Sequence, residues 1–249
     1  MKTQALRWIV AGSLLISSQL AAQPLENLRT QLSGLHSDQP LRLKVDVEIK
    51  HRGSAPLHLN NQKTRGRAVV TYGPRGAEVI KAQSRGSSSW FSLWRSKKED
   101  GTTEPLLSWE EAQILADPAG MLDSLLSEAS VVSEETVDWQ GQPARLLVLR
   151  PSGLATEGQV EEASVKSGFE PLVLEAKLWL DERGIPLALE SLTELRLTAA
   201  LSAMDHQSFT FQQVDGRLLV AEAQETSSGT ALAVLRSRES KTMKVSVVR

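Results

Sequence analysis

The ten residues from Leu41 to Lys50 alternate strictly between aliphatic and charged side chains. Successive side chains of a β-strand point to opposite faces of its sheet, so this period predicts a strand with one buried face and one wet face. A helix, which repeats about every 3.6 residues, cannot present this pattern to a core. The chain must therefore build a sheet with an apolar face, to which this strand contributes Leu41, Leu43, Val45, Val47 and Ile49.

Four turn sequences indicate that the sheet is antiparallel. The turns Gly73–Gly76, Gln140–Pro143, Glu182–Gly184 and Asp215–Gly216 each separate two runs with strand character. Turns this short join antiparallel neighbours, whereas parallel strands need crossovers of about a dozen residues or more. The runs predict a meander of roughly ten strands.

Helices are predicted in only two places, Leu25–Leu35 and Ser108–Ala129. The second begins with a capping-box pattern, Ser108 with Glu111, and is expected to break at Asp117-Pro118. Two or three helices cannot cover the apolar face of such a sheet densely. The sequence thus predicts a closed barrel or a curved half-barrel with an interior cavity, while a two-sheet sandwich would solve the same packing problem.

The first 22 residues have the organisation of a secretory signal peptide. Lys2 and Arg7 flank the start of an apolar run that ends at Ile16, and small residues lead to a cleavage site after Ala22 or Ala21. The run is too short to span a bilayer as a helix. The chain has no Cys, which excludes attachment through a lipobox thiol. We expect a soluble, unanchored periplasmic protein in which residues 23–249 form one domain, with a loop insertion over 151–168.

Composition and motifs argue against most chemistry. The formal net charge is −2, without the basic excess of a nucleic-acid binder. The four histidines lack metal-ligand spacing, and no phosphate-binding or dinucleotide-binding loop is present. Asp205, His206 and Ser208 are too close along one strand for a hydrolase triad, because neighbouring side chains point to opposite faces. We therefore expect no enzyme, no cofactor, no metal and no nucleic acid.

One cluster of aromatic residues lies in an otherwise polar stretch and is bracketed by cations at Arg85 and Arg95. Such a loop buries its large side chains or presents them to an apolar partner. We interpret it as the lid or rim of a cavity, or as a transient membrane contact, with simple packing on the core as the alternative. The cluster consists of Trp90, Phe91, Leu93 and Trp94.

The segment from Glu175 to Leu187 resembles the LolA-like superfamily of periplasmic lipoprotein carriers. In that family an apolar-Trp-apolar-Asp strand turns through a Gly and resumes at a Pro, as Trp179, Asp181, Gly184 and Pro186 do here. The resemblance implies a mainly β (α+β) fold, a large antiparallel curved sheet forming an unclosed half-barrel capped by helices. It also implies a concave apolar face that holds acyl chains.

These observations favour a periplasmic binding or carrier protein for a lipid or for the acyl chains of a lipoprotein. Each buried methylene contributes about 0.8 kcal/mol, so an apolar wall is sufficient without covalent chemistry. The alternative is a protein-interaction or envelope-sensor module on the same scaffold, with a filled cavity and an envelope protein as partner. The predicted wall consists of Leu41, Leu43, Val45, Val47, Ile49, Trp179, Phe209 and Phe211.

Overall fold

The computed structural model describes residues 25–55, 58–86, 105–151, 170–198, 201–231 and 235–248. The predicted signal peptide, the aromatic cluster from Trp90 to Trp94 and nearly all of the predicted insertion over 151–168 lie outside the described residues. The described helices are α1 (25–35), α2 (Trp109–Ala116) and α3 (Pro118–Ser127). The strands are β1 (Leu41–Ala55), β2 (His58–Gly73), β3 (Gly76–Gly86), β4 (Ala129–Trp139), β5 (Gln142–Pro151), β6 (Glu170–Leu180), β7 (Pro186–Thr198), β8 (Leu201–Val214), β9 (Arg217–Ala231) and β10 (Leu235–Val247).

All ten strands form one open antiparallel sheet in the order β3-β2-β1-β10-β9-β8-β7-β6-β5-β4. β1 and β10, the first and last strands along the chain, are the third and fourth strands of this order and pair from Leu43–Val247 to Ser54–Arg236. β3 and β4 are therefore the two edges, and α2 and α3 join them by crossing one face of the sheet. The predicted half-barrel capped by helices is confirmed.

All four predicted turns are present, and two of them are built from consecutive residues with positive φ. Gln140 and Gly141 have φ values of 54° and 85°, and Asp215 and Gly216 have 52° and 79°. Two consecutive residues with positive φ make the hairpin turn whose twist matches that of the flanking strands.

The predicted helix break is also present. Ser108 and Glu111 form both hydrogen bonds of the capping box at the start of α2, and Asp117 ends it. Pro118 opens α3, since a proline lacks the N–H that a continuous helix would need there. The two short helices pack on the sheet through their buried apolar residues, such as Leu115 of α2 and Leu122 of α3.

The side of the sheet that faces the helices is called the inner face, and the opposite side the outer face. Two apolar clusters lie between the inner face and the helices. The first joins β1, β2, β9 and β10 to α2, and the second joins β5, β6 and β7 to α1 and α3. Burial of these faces is the main driving force for folding, at about 25 cal/mol per Å² of apolar surface.

Candidate functional site

The predicted wall on β1 lies on the inner face. Leu43, Val45 and Val47 are completely or almost completely buried, in the same cluster as Leu115 of α2. Leu41 and Ile49, towards the two ends of the row, are partly buried against that cluster. These five residues share one face as predicted, and most of their surface contacts the protein itself.

Phe209 and Phe211 join the two apolar clusters. Both are partly buried and pack against each cluster, and their rings are stacked with centroids 6.5 Å apart and planes 3° apart. They lie near the middle of the sheet, on β8, where the cover of α1 and α3 meets that of α2. The pair is thus the apolar surface that both parts of the helical cover share.

Trp179 lies on the other side of the sheet. Leu178 and Leu180 point into the second cluster, and Trp179 between them points to the outer face, where its ring contacts Trp139 at a centroid distance of 4.8 Å. The structure therefore does not bring Trp179 together with the other predicted wall residues. The sequence contained a signal for this outer position, because Glu175 and Lys177 share a strand face with Trp179 and are charged.

Across the centre of the inner face, an apolar row lies directly beside a polar row. Met243, Ala223, Phe209 and Leu189 are successive register partners across β10, β9, β8 and β7. Two residues further along each strand, on the same face, the next row is Lys241, Glu225, Gln207 and Ser191. Two residues of a strand span about 7 Å, so the inner face changes from apolar to polar within one side-chain spacing.

The polar row is held in contact with the start of α2. The Lys241 ammonium group donates to Oε1 of Glu111, while Oε2 of Glu111 accepts from the backbone N–H of Ser108 at 2.7 Å. Beyond the row, Asp205 accepts from Ser227 Oγ at 3.0 Å and from Gln207 Nε2 at 3.2 Å. The capping box of α2 thus contacts the polar row at Lys241, and a second group of hydrogen bonds joins Gln207 of the row to Asp205 and Ser227.

Glu225 is the one carboxylate of this four-residue row, and Lys241 compensates its charge only in part. Burial is the main cause that raises its pKa, and the neighbouring carboxylates of Asp205 and Glu111 raise it further. The ammonium group of Lys241 acts in the opposite direction. A hydrogen-bonding ligand group at this position would therefore meet a carboxyl that takes up a proton more readily than an exposed one.

A second set of polar contacts, which we call the fastening, holds the helices at the other end of the inner face and is centred on Arg217, Tyr72 and Asp117. Arg217 donates to the backbone carbonyls of Ser37 and Gln39, and its guanidinium lies 5.4 Å from the ring centroid of Tyr72. The Tyr72 hydroxyl donates to Asp117 Oδ2 at 3.1 Å. The segment after α1 is thus tied to the α2–α3 junction and to the sheet.

His36 belongs to the same fastening. Its ring nitrogens lie 2.9 Å from Asp117 Oδ2 and 3.2 Å from Asp38 Oδ1. The hydrogen bond to Asp117 is the largest cause that raises the pKa of His36 above its ordinary value of 6.5, and Asp38 adds to it. Neither this fastening nor the polar row is recognisable from sequence spacing, because each joins elements that are distant along the chain.

The pH dependence of this fastening is testable. Because the folded state raises the pKa of His36, its contribution to stability is fully present below the unfolded pKa and is lost as the pH rises through the folded pKa. We expect His36→Gln to lower the free energy of unfolding more at acidic than at alkaline pH, by at most about 1 kcal/mol for such a half-exposed pair. Calorimetry across the pH range measures this. In a chain carrying both Asp117→Asn and Asp38→Asn the pH dependence should vanish, and its persistence would assign it to other groups.

The described surface includes two grooves. One, of about 540 Å³, lies between α1 and the β6–β7 turn, and its polar lining includes Gln31, Arg145 and Asp181. The other, of about 690 Å³, lies on β1, β2 and β10 and is lined by charged side chains. Within the described ranges no group of three metal-ligating side chains occurs, and no helix is long and apolar enough to cross a bilayer.

Comparison with known proteins finds similarity only among solved structures. No protein-family model and no curated protein matches the chain. A DUF1329 family protein from Desulfovibrio piger is 11% identical over 91% of each chain, with a TM-score of 0.35. A LolA superfamily protein from Nitrosomonas europaea is 10% identical over 90% of this chain and 94% of its own, with a TM-score of 0.27. A lipovitellin structure is 8% identical over 86% of this chain and 26% of its own, with a TM-score of 0.34.

Proposed function

We propose that the protein binds an amphipathic lipid on the inner face of its sheet. The observation that carries the proposal is the step from the apolar row to the polar row, at Phe209 and Gln207. An amphiphile needs both kinds of surface within a few ångströms of each other. The acyl part would contact Phe209 and Phe211 beneath the helices, and the polar group would contact the row from Lys241 to Ser191.

The helical cover is consistent with a ligand that enters by displacing side chains. An acyl chain on the inner face would gain the same kind of free energy as the short helices do, namely that of burying apolar surface. Each buried methylene contributes about 0.8 kcal/mol in either case. α2 and α3 are only 8 and 10 residues long, so their attachment depends on tertiary packing and on the polar fastenings at their ends. These helices are the elements that would move.

The finer parts of the proposal come from the sequence. Residues 1–22 would export the chain, residues 23–249 would act as one domain in the periplasm, and the ligand would be a lipid or the acyl chains of a lipoprotein. The segment with Trp90 and Trp94 would form the rim of the site or touch the membrane during transfer.

Lipid uptake tests the proposal directly. Native mass spectrometry of the mature protein should show a co-purifying or added long-chain fatty acid, and a fluorescent fatty-acid probe should give a saturable signal. Phe209→Ala should weaken probe binding about tenfold or more, because it removes the shared apolar surface. Trp179→Ala is the matched control, since it removes a partly buried aromatic ring from the outer face and should change binding less than about twofold.

Two results would contradict the proposal. One is a wild-type protein that neither carries nor takes up a fatty acid. The other is an equal loss of binding in both variants, because that would trace the effect to general stability and not to the inner face. Melting temperatures of both variants, measured in the same buffer, separate these cases.

A second candidate function is supported by the dense packing of the inner face. Fully buried residues such as Leu43 and Leu122 show helices and sheet in direct contact, as expected for an interaction or sensor module with a filled interior. An unchanged native mass after gentle extraction, together with a bound envelope protein, would favour this candidate over lipid binding.

A further inference from the structure

The outer face of β2, β1 and β10 is strongly basic, although the whole chain has a formal net charge of −2. Strand registers place on this face nine cations and two carboxylates whose side chains the structure describes, and we call it the basic face. The cations are Arg42, Lys44, Lys50, Arg52, Lys63, Arg65, Arg67, Arg238 and Lys244, and the carboxylates are Asp46 and Glu48. The groove of about 690 Å³ lies on it.

Folding stability does not explain this concentration of charge. Arg52 lies directly opposite Arg238, and Lys50 lies directly opposite Lys63, with which it shares the single carboxylate of Glu48. Like charges directly opposite each other on neighbouring strands are destabilising. A surface that keeps such pairs is better explained by a partner that neutralises them.

The carboxylates serve as anchors for some of the cations. Glu48 contacts Lys50 at 2.9 Å, Lys63 at 3.0 Å and Arg65 at 2.8 Å, and the bonds from Lys50, Arg65 and Lys63 lower its pKa to about 2. Asp46 contacts Arg67 at 2.8 Å. These pairs hold the side chains in place, yet the side chains of Arg65 and Arg67 remain 68% and 58% exposed.

Three further arginines on this face have no carboxylate partner among the described residues. Arg42, Arg52 and Arg238 are exposed and form no ion pair with another described residue. Arg42 and Arg52 lie at the two ends of the basic face, about 33 Å apart along β1 at roughly 3.3 Å per residue. The charge is therefore spread over a long surface instead of converging on one point.

From this geometry we infer that the basic face docks on the surface of an anionic lipid bilayer. A single phosphate would be held by a few converging donors, whereas a bilayer presents many negative groups over an extended plane. Clusters of Lys and Arg near an anionic leaflet each add to the attraction, which falls off within a Debye length. Docking does not depend on an occupied inner face, so it goes beyond the proposed lipid binding.

Vesicle sedimentation tests the docking. The mature protein should bind vesicles that contain phosphatidylglycerol and should not bind vesicles of pure phosphatidylcholine. Binding should be strong at low ionic strength and lost near 1 M salt, where the Debye length falls from about 10 Å at 0.1 M to about 3 Å. The triple variant R42E/R52E/R238E should bind anionic vesicles about tenfold less or weaker still.

A matched control carries the same charge change on β5, β6 and the β6–β7 turn. R150E/K177E/R183E should retain vesicle binding within about twofold, because these positions lie far across the sheet from the basic face. Equal losses in the two triple variants would overturn the inference, since net charge would then be the cause. Wild-type binding to polyglutamate without binding to anionic vesicles would also overturn it and would assign the face to an acidic protein.

Fatty-acid uptake in the same samples keeps the two proposals apart. R42E/R52E/R238E should take up the probe like the wild type, because none of the three arginines lies on the inner face. Vesicle binding without fatty-acid uptake would support the docking and contradict the lipid site. Fatty-acid uptake without vesicle binding would support the lipid site and contradict the docking.

Discussion

Shortening Leu122 to alanine should lower the free energy of unfolding by about 3–5 kcal/mol. Leu122 is completely buried in α3, in the cluster that joins α1 and α3 to β5, β6 and β7. Removing its side-chain methyl groups costs their transfer from water and leaves a cavity that the sheet cannot close, because its strands are paired on both sides. Urea unfolding followed by circular dichroism measures the loss.

The control for this prediction lies on the same helix. Ser124 is exposed on α3, and Ser124→Ala should change the free energy of unfolding by no more than about 0.5 kcal/mol. If Leu122→Ala cost less than about 1 kcal/mol, α3 would not be packed on the sheet as described. The denaturant slope should stay the same, since the variant changes stability and not the surface exposed on unfolding.

Replacing Arg217 by methionine should cost about 2–4 kcal/mol. Arg217 is 6% exposed and is the one charged residue that is buried among the described residues. Methionine fills a similar volume but loses both hydrogen bonds to the carbonyls of Ser37 and Gln39 and the contact with the Tyr72 ring. Thermal unfolding gives the size of the effect.

Amide hydrogen exchange shows whether the loss of stability in R217M arises at α1 and the segment that follows it. In R217M, the amide hydrogens of α1 and of residues 36–40 should exchange faster than in the wild type. This acceleration should be larger there than in β6 and β7. Arg217→Lys keeps the charge without the fork of donors and should have an intermediate effect. Uniform acceleration across the sheet would contradict a role in fastening α1.

Much of the fold could be predicted from short-range patterns. The alternation from Leu41 to Lys50, the Asp215-Gly216 turn and the break at Asp117-Pro118 depend on residues that are close in the chain. Each acts through local backbone geometry: side-chain alternation in a strand, positive φ in a hairpin, and the missing N–H of proline. The open helix-capped sheet followed because these elements left an apolar face that few helices could cover.

The candidate site was predicted less completely. Phe209 and Phe211 lie on the inner face with the β1 row, whereas Trp179, predicted for the same wall, lies on the outer face with Glu175 and Lys177. The polar row could not be anticipated, because Lys241 and Gln207 become neighbours of Glu225 only through the registers of β8, β9 and β10. A register is set by pairing between strands and by bulges such as the one at Thr210–Phe211, which no single strand encodes.

By itself, the amino-acid sequence determined the elements and the apolar character of one face, because both are written in the spacing of neighbouring residues. Only the tertiary structure decided where that face stops being apolar, which side chains fasten the helices, and how nine cations gather on three strands. The pairing of β1 with β10 explains the difference. It brings together residues about 200 positions apart, such as Asp46 and Lys244, and such proximity is a property of the folded chain alone.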